Sequence, residues 1–381
     1  MNYIIGVVQH EIKQSFNTQI KWGRTMFKLT YKSIALASVI TIAGQVMILK
    51  PEVVIAGQFD GQTLRVGTWG GRWGDFQKNI IAPKVEAEGG KVEYVFGSTQ
   101  DNLAKIAAAR GRDTPVDVLE ILDAMLPIFE AQDLLEKIDL SKVPNTENLQ
   151  TGFYGDTKVG TWIVQEGICY NRDKFKELGL PAPKTYADLG HPKLAGLVTV
   201  PDITSGGGLA NFAGMVYAAG GDVQNIEPGL QLLKGLNVLK YWKRAGEAVN
   251  MMQTGDVAAA LIYTGWCATI RKSGTPVNAV LPQIGADKQG VMKNGWIGIV
   301  KGTKVPELAT FYINQFISTE FQSTWAGASG VIPVSQAAMP SFLTDAVAQE
   351  FYTPVENNLH VDYKNADIPD WTDRWTRTVS K

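Results

Sequence analysis

Residues 64–121 read LRVGTWGGRWGDFQKNIIAPKVEAEGGKVEYVFGSTQDNLAKIAAARGRDTPVDVLEI, and two periodicities take turns along them. Leu64–Trp69 is a short β-rich run that ends in Gly70-Gly71. Phe76, Ile80, Ile81 and Val85 then recur at helical spacing, with Pro83 as the expected kink. Lys91–Phe96 alternates polar and apolar residues, as a strand does. Leu103, Ile106 and Ala107 follow as one face of a second helix, and Thr114-Pro115 introduces a third strand over Val116–Ile121. Strand and helix in alternation imply parallel βαβ units and an α/β domain. Ligands of such sheets bind beyond the carboxyl ends of the strands. Trp69, Gly70, Gly71 and Asp123 stand at those ends.

The pattern restarts at Lys158. Thr161–Asn171 (TWIVQEGICYN) predicts a long strand, and Arg172–Gly179 a short helix closed by Gly179 and Pro181. Leu197–Val200 predicts a strand that leads through Pro201 to Gly208 into a helix from Leu209. Helices are expected over about 228–245 and 247–253, and strands over Val257–Tyr263, Val277–Leu281 and Gly295–Val300. An amphipathic helix is expected over 306–318, and the tail from 336 reads as helices. There is no internal repeat and no low-complexity segment.

A chain of 381 residues exceeds one compact core and fits two domains. With 45% hydrophobic and 19% charged residues its balance is globular, and a net charge of −1 gives no basic face for nucleic acid. Ten Trp and twelve Tyr are explained either by a large core or by a cleft with aromatic walls. Residues 34–49 (IALASVITIAGQVMIL) form an uncharged apolar run behind Lys28 and Lys32, followed by Val54-Ile55-Ala56. That order predicts a signal peptide cleaved after Ala56; the alternative is an uncleaved anchor, for which 16 residues fall short of the ~20 that a spanning helix needs. Translation can start at Met1 or at Met26. Residues 1–56 carry six basic and two acidic residues, so their removal takes the net charge from −1 to −5. Cys169 and Cys267 either pair in an oxidising compartment or serve as small buried hydrophobes. His10, His191 and His360 are dispersed and there is no Cys-x-x-Cys pair, which argues against a metal or a cofactor site.

Several stretches together resemble the spermidine/putrescine-type extracellular solute-binding proteins, the receptors of polyamine-like ABC importers. They are Gly67-Thr68-Trp69-Gly70-Gly71 with Asp75, Gly97-Ser98-Thr99 with Leu103-Ala104-Lys105-Ile106, Val116-Asp117-Val118, Gly167-Ile168-Cys169-Tyr170-Asn171, Asp202 with Ser205-Gly206, Gln253-Thr254-Gly255-Asp256-Val257, and Lys304–Phe316. The resemblance spans about residues 62–375. It implies the type II periplasmic-binding-protein fold, in which two α/β lobes joined by two crossovers hold the ligand at their hinge. The crossovers are expected near 158–164 and 282–294, which gives lobe one as 62–158 with 290–335 and lobe two as 159–285 with 336–381. It also implies a monomeric periplasmic protein that takes up a small solute by lobe closure and passes it to a membrane permease, without catalysis.

Candidate ligand contacts follow residue by residue. Trp69 matches the family's aromatic after the first strand, with Gly70 and Gly71 allowing close approach. Arg72 can hold a carboxylate or phosphonate with two hydrogen bonds, or be a solvated charge. Ser205 and Gly206 open a helix whose free N–H groups can hold an anion, or are a cap and nothing more. Asp202 stands where polyamine binders place an acid, and Asp123 or Glu166 can supplement it. Tyr263, Trp266, Asn294 and Trp296 match or adjoin aromatic positions of the family. Polyamine binders carry an aspartate where this chain has Lys293, Asn294 and Gly295. A buried ammonium without a carboxylate is costly, so an amino-acid, opine-like or aminophosphonate ligand competes with a polyamine.

The main rival is an exported two-domain enzyme. Its nucleophile would need a base near it, yet no Gly-x-Ser-x-Gly elbow occurs and His191 reads as a loop residue. An uncleaved leader would instead make a membrane-tethered sensor domain.

Overall fold

In the computed structural model, which describes residues 57–109 and 112–380, the first strand and helix lie where the opening periodicity puts them. The leader expected over 1–56 lies outside the described residues. Strand β1 (Thr63–Thr68) leads into helix α1, which opens at Arg72–Phe76, widens to a π turn over Gln77–Ile81 and continues over Ala82–Ala87. Pro83 has no N–H to give the helical ladder, and the wide turn lies directly upstream of it. β2 (Lys91–Phe96) and β3 (Val118–Leu122) pair parallel with the two edges of β1, joined through α2 (Thr99–Ala109). The buried stripe of α2 is Thr99, Asn102 and Ile106. Ala107, expected on that stripe, is exposed, because the next residue along a helix turns about 100° away from Ile106.

The second series is β4 (Val159–Asn171), α3 (Arg172–Glu177), β5 (Val198–Pro201), α4 (Gly208–Ala218), α5 (Glu227–Gly235), β6 (Val238–Trp242), α6 (Ala245–Thr254), β7 (Ala259–Tyr263), α7 (Thr264–Lys272), β8 (Val277–Val280) and β9 (Val291–Ile299). The single helix expected over about 228–245 is corrected to α5 followed by β6. β6 is the last strand of the sheet, with Leu239 and Lys240 exposed, so it lacks the alternation that marks a half-buried strand. Helices α8 (Pro306–Phe316), α9 (Thr319–Ser329) and α10 (Ile368–Val379) follow. α10 packs Trp371 edge-on against Phe212 of α4, and Arg374 pairs with Glu227 of α5 at 2.8 Å.

The strands lie in the order β2-β1-β3-β9-β4-β7-β5-β6. Two strands carry the chain from one half of the sheet to the other. β9 pairs with β3 over Gly295–Ile299 and with β4 over Val291–Ile297. β4 in turn pairs with β7 over Glu166–Tyr170. All 13 residues of β4 are buried, as a central strand covered on both faces requires. Cys169 of β4 and Cys267 of α7 form a disulfide, with Cα atoms 5.5 Å apart.

Candidate ligand-binding site

The carboxyl ends of parallel strands from both halves of the sheet open on one cavity of about 860 Å³. β1 delivers Trp69 to Trp73, β5 delivers Thr204 to Gly207, β6 ends at Trp242 and Lys243, and β7 ends at Tyr263 and Trp266. This is the position that strand direction in an α/β sheet dictates.

Six of the ten tryptophans line this cavity: Trp69, Trp73, Trp162, Trp242, Trp266 and Trp325. Trp73 stands edge to face against three of them, with ring centroids at 5.8 Å from Trp69, 5.4 Å from Trp162 and 4.6 Å from Trp325. Edge-to-face contact is the favoured geometry between aromatic quadrupoles, and it fixes the walls against one another. Behind them lies Glu120, only 1% exposed on an otherwise apolar strand. It accepts hydrogen bonds from Trp162 Nε1 at 3.2 Å, Trp73 Nε1 at 3.3 Å, Gln77 Nε2 at 2.6 Å and the Thr68 hydroxyl. Burial pushes the Glu120 pKa up, and these donors offset part of that rise. Glu120 therefore orients two indoles without itself lining the cavity.

On the cavity floor, Lys293 Nζ lies 2.5 Å from Glu166 Oε1 and donates to the Gly206 carbonyl at 2.7 Å. Asn211 Nδ2 donates to Glu166 Oε2 at 2.8 Å. The remaining charges along the cavity are Arg72, Lys243, Arg244 and Asp101, so cations outnumber carboxylates four to two. Arg72 is exposed and donates to the Ala328 carbonyl at 2.6 Å. Ser205 is 6% exposed and its Oγ has no hydrogen-bond partner among the described residues. Tyr263 donates to the Ser329 carbonyl at 3.2 Å, and burial pushes its pKa well up, so it stays a neutral donor.

Nine of the residues singled out from sequence line the cavity: Trp69, Gly70, Gly71, Arg72, Glu166, Ser205, Gly206, Tyr263 and Trp266. The other four do not. Asp202 spends one carboxylate oxygen on Thr204, accepting from its amide at 2.9 Å and its hydroxyl at 2.7 Å. Asp123 accepts from the backbone amides of Ala124 at 2.8 Å and Asn294 at 2.9 Å. The Asn294 side chain lies 3.5 Å from His360 Nε2. Trp296 stacks on Phe153 with centroids 5.7 Å apart. Trp162, Trp242, Trp325 and Glu120 were not singled out from the sequence. A lone acid inside the apolar run Val118–Leu122 is the signal that points to Glu120, because an acid is buried only where donors await it.

The pattern of the family described as bacterial extracellular solute-binding protein matches residues 77–350. The diacetylchitobiose binding protein DasA of Streptomyces coelicolor is 24% identical over 337 residues, covering 77% of this chain and 78% of that protein. Among solved structures, one assigned to spermidine/putrescine ABC transport in Listeria monocytogenes is similar with a TM-score of 0.70 at 19% identity, covering 84% of this chain and 99% of that one. The periplasmic binding protein AgtB of A. tumefaciens R10, in complex with agropinic acid, is similar with a TM-score of 0.64 at 20% identity, covering 84% and 99%. These likenesses carry the two-lobe periplasmic-binding-protein fold. With its family pattern matched from within α1 to α9 and beyond, the chain belongs to the bacterial extracellular solute-binding proteins.

Proposed function

We propose that the cavity captures a compact solute with an acidic group beside an apolar or ring-shaped body, such as an amino-acid derivative, an opine-like acid or an aminophosphonate. The two lobes, 62–158 with 290–335 and 159–285 with 336–381, would close on it and present it to the permease of an importer. The observation that carries this reading is the charge balance along the cavity. Of its two carboxylates, Glu166 is already held by Lys293 and Asp101 accepts from Ser98, whereas Arg72 and Lys243 stand at the opening beside Arg244, which lies 3.5 Å from Glu247. Ser205 Oγ, unpartnered beside the start of α4, supports an anion contact with the amides of Gly206 and Gly207. A polyamine needs a carboxylate at each end, and Asp202 lies outside the cavity lining.

A sugar is the second reading. The partly exposed indoles of Trp69, Trp73 and Trp266 suit stacking on pyranose rings, and one relative is a diacetylchitobiose binder.

Thermal shift of the purified protein tests the choice. The panel holds opine-like acids, aminophosphonates, amino acids, chitooligosaccharides, putrescine and spermidine. A ligand at 100 times its dissociation constant stabilises by about 2.7 kcal/mol, a readily measured rise in melting temperature. Acidic compounds are expected to raise it. A rise with spermidine or putrescine and none with any acid overturns the proposal.

A further inference from the structure

The surroundings of the Lys293 ammonium are those of a receptor for a primary amine. Glu166 supplies a carboxylate oxygen at 2.5 Å, Gly206 a carbonyl at 2.7 Å, and Trp162 a ring face whose centroid is 5.8 Å from Nζ. Carboxylate, carbonyl and aromatic face are what an alkylammonium ligand demands when it leaves water. The Lys293 side chain is 8% exposed and that of Glu166 1%, so the receptor is desolvated. Asn211 holds the other Glu166 oxygen, which fixes the carboxylate in place. The occupant is tethered to β9, and its effective concentration is far above that of any free amine.

We infer that Lys293 is a specificity-determining residue that fills an amine subsite of the cavity from within. The lysine neutralises Glu166, leaves a free ammonium ligand nothing to pair with, and turns the cavity toward acids. An ammonium has three N–H donors, and Glu166 and Gly206 take two of them. The third is left for an oxygen of the solute. This rests on the reading that the cavity is the solute site, but the amine subsite itself is testable without the natural ligand.

The test is thermal shift with ethylammonium chloride against sodium chloride at equal ionic strength. It is run on the full protein and on the Lys293→Ala, Lys293→Ser and Lys293→Ala/Glu166→Gln variants. The single variants bury an unpaired Glu166 and are expected to melt lower than the parent. Ethylammonium is expected to restore them saturably, with an apparent affinity at least about tenfold tighter than for the parent. The double variant, with no charge to pair, is expected not to respond. A Lys293→Ala or Lys293→Ser protein that folds and responds no better than the parent overturns the inference. So does a pair of single variants that fail to fold both with and without ethylammonium. Variants that fold only in its presence support it. The acid panel on the parent protein is read separately. If no acid binds the parent while the variants take ethylammonium, the solute class fails and the amine subsite stands.

Discussion

Gly295 of β9 lies directly under the indole of Trp162 on β4, and a Cβ at Gly295 would stand 2.0 Å from the ring. The two residues are paired across the strands, and the register shifts between Gly295 and Trp296. Absence of a side chain is therefore what lets Trp162 lie flat and reach Glu120. Gly295→Ala is expected to push the indole off its seat, break its bond to Glu120 and change the cavity wall. The expected outcome is a loss of roughly 1–3 kcal/mol in denaturant unfolding, as for other overpacked cores, with altered tryptophan fluorescence. Unchanged fluorescence and stability would show that the wall does not depend on this contact.

Glu120 accepts from four donors at once, and glutamine offers one carbonyl oxygen plus an amide that points donors at donors. Glu120→Gln keeps the shape and removes the charge. It is expected to destabilise by roughly 2–4 kcal/mol, since buried donors are left without acceptors. Ligand affinity should fall along with stability, because Trp73 and Trp162 lose their common anchor. Full affinity with lowered stability would make Glu120 a purely structural acid.

The sequence made the first βαβ unit plain, because Leu64–Trp69, the α1 stripe and Lys91–Phe96 are local patterns with local partners. It also made plain the cavity residues that follow a strand end, Trp69 to Arg72 above all. Trp162 and Trp325, and the contact of Lys293 with Glu166 and Trp162, were opaque for the opposite reason. They meet only because β4 and β9 run antiparallel across the sheet and α9 packs on the same wall, pairings of residues over a hundred positions apart. Asp202 was picked out by the family's pattern around it, and which way its carboxylate turns, back to Thr204, is not legible in that pattern. β6 misled because an edge strand with exposed Leu239 keeps apolar residues at helical spacing.

Asp123 makes stability depend on pH. Burial raises its pKa from 3.8 to about 6, although the amides of Asn294 and Ala124 and the charge of Lys293 pull it down. A carboxyl whose folded pKa exceeds its unfolded value stabilises the fold when protonated. That contribution is complete below the unfolded pKa and is lost as pH rises through about 6. Asp123→Asn should thus be more stable than the parent at pH 7.5 by up to roughly 2–3 kcal/mol, with the gap closing toward pH 4. Urea unfolding of both proteins from pH 4 to 8 measures it, and a gap independent of pH refutes the assignment.

The disulfide between Cys169 and Cys267 ties β4 to α7 across 98 residues of sequence, and both cysteines are fully buried. Closing so long a loop restricts the unfolded chain by about 4.7 kcal/mol in the chain-entropy account. The Cys169→Ala/Cys267→Ala variant is expected to unfold with a stability lower by roughly 2–4 kcal/mol. Brief treatment of the folded parent with a mild reductant should do nothing, since no sulfur is accessible. Rapid reduction under native conditions would mean that α7 opens readily from the sheet.

Arg244 and Lys243 differ from Lys293 in what water does to them. The Arg244 side chain is 88% exposed at the cavity opening, so its attraction for an acid acts through solvent and is screened by salt. Such a charge steers approach more than it holds the bound solute. Lys293 is buried at the floor and acts at short range. Removing Arg244 with Arg244→Ala should slow association of an acidic ligand at low salt by a few-fold, leave dissociation nearly unchanged, and lose its effect as salt approaches 1 M. Stopped-flow tryptophan fluorescence follows both rates, because the reporting indoles line the cavity. A faster dissociation at every salt concentration would instead put Arg244 in direct contact with the bound solute, which requires the rim to fold inward on closure.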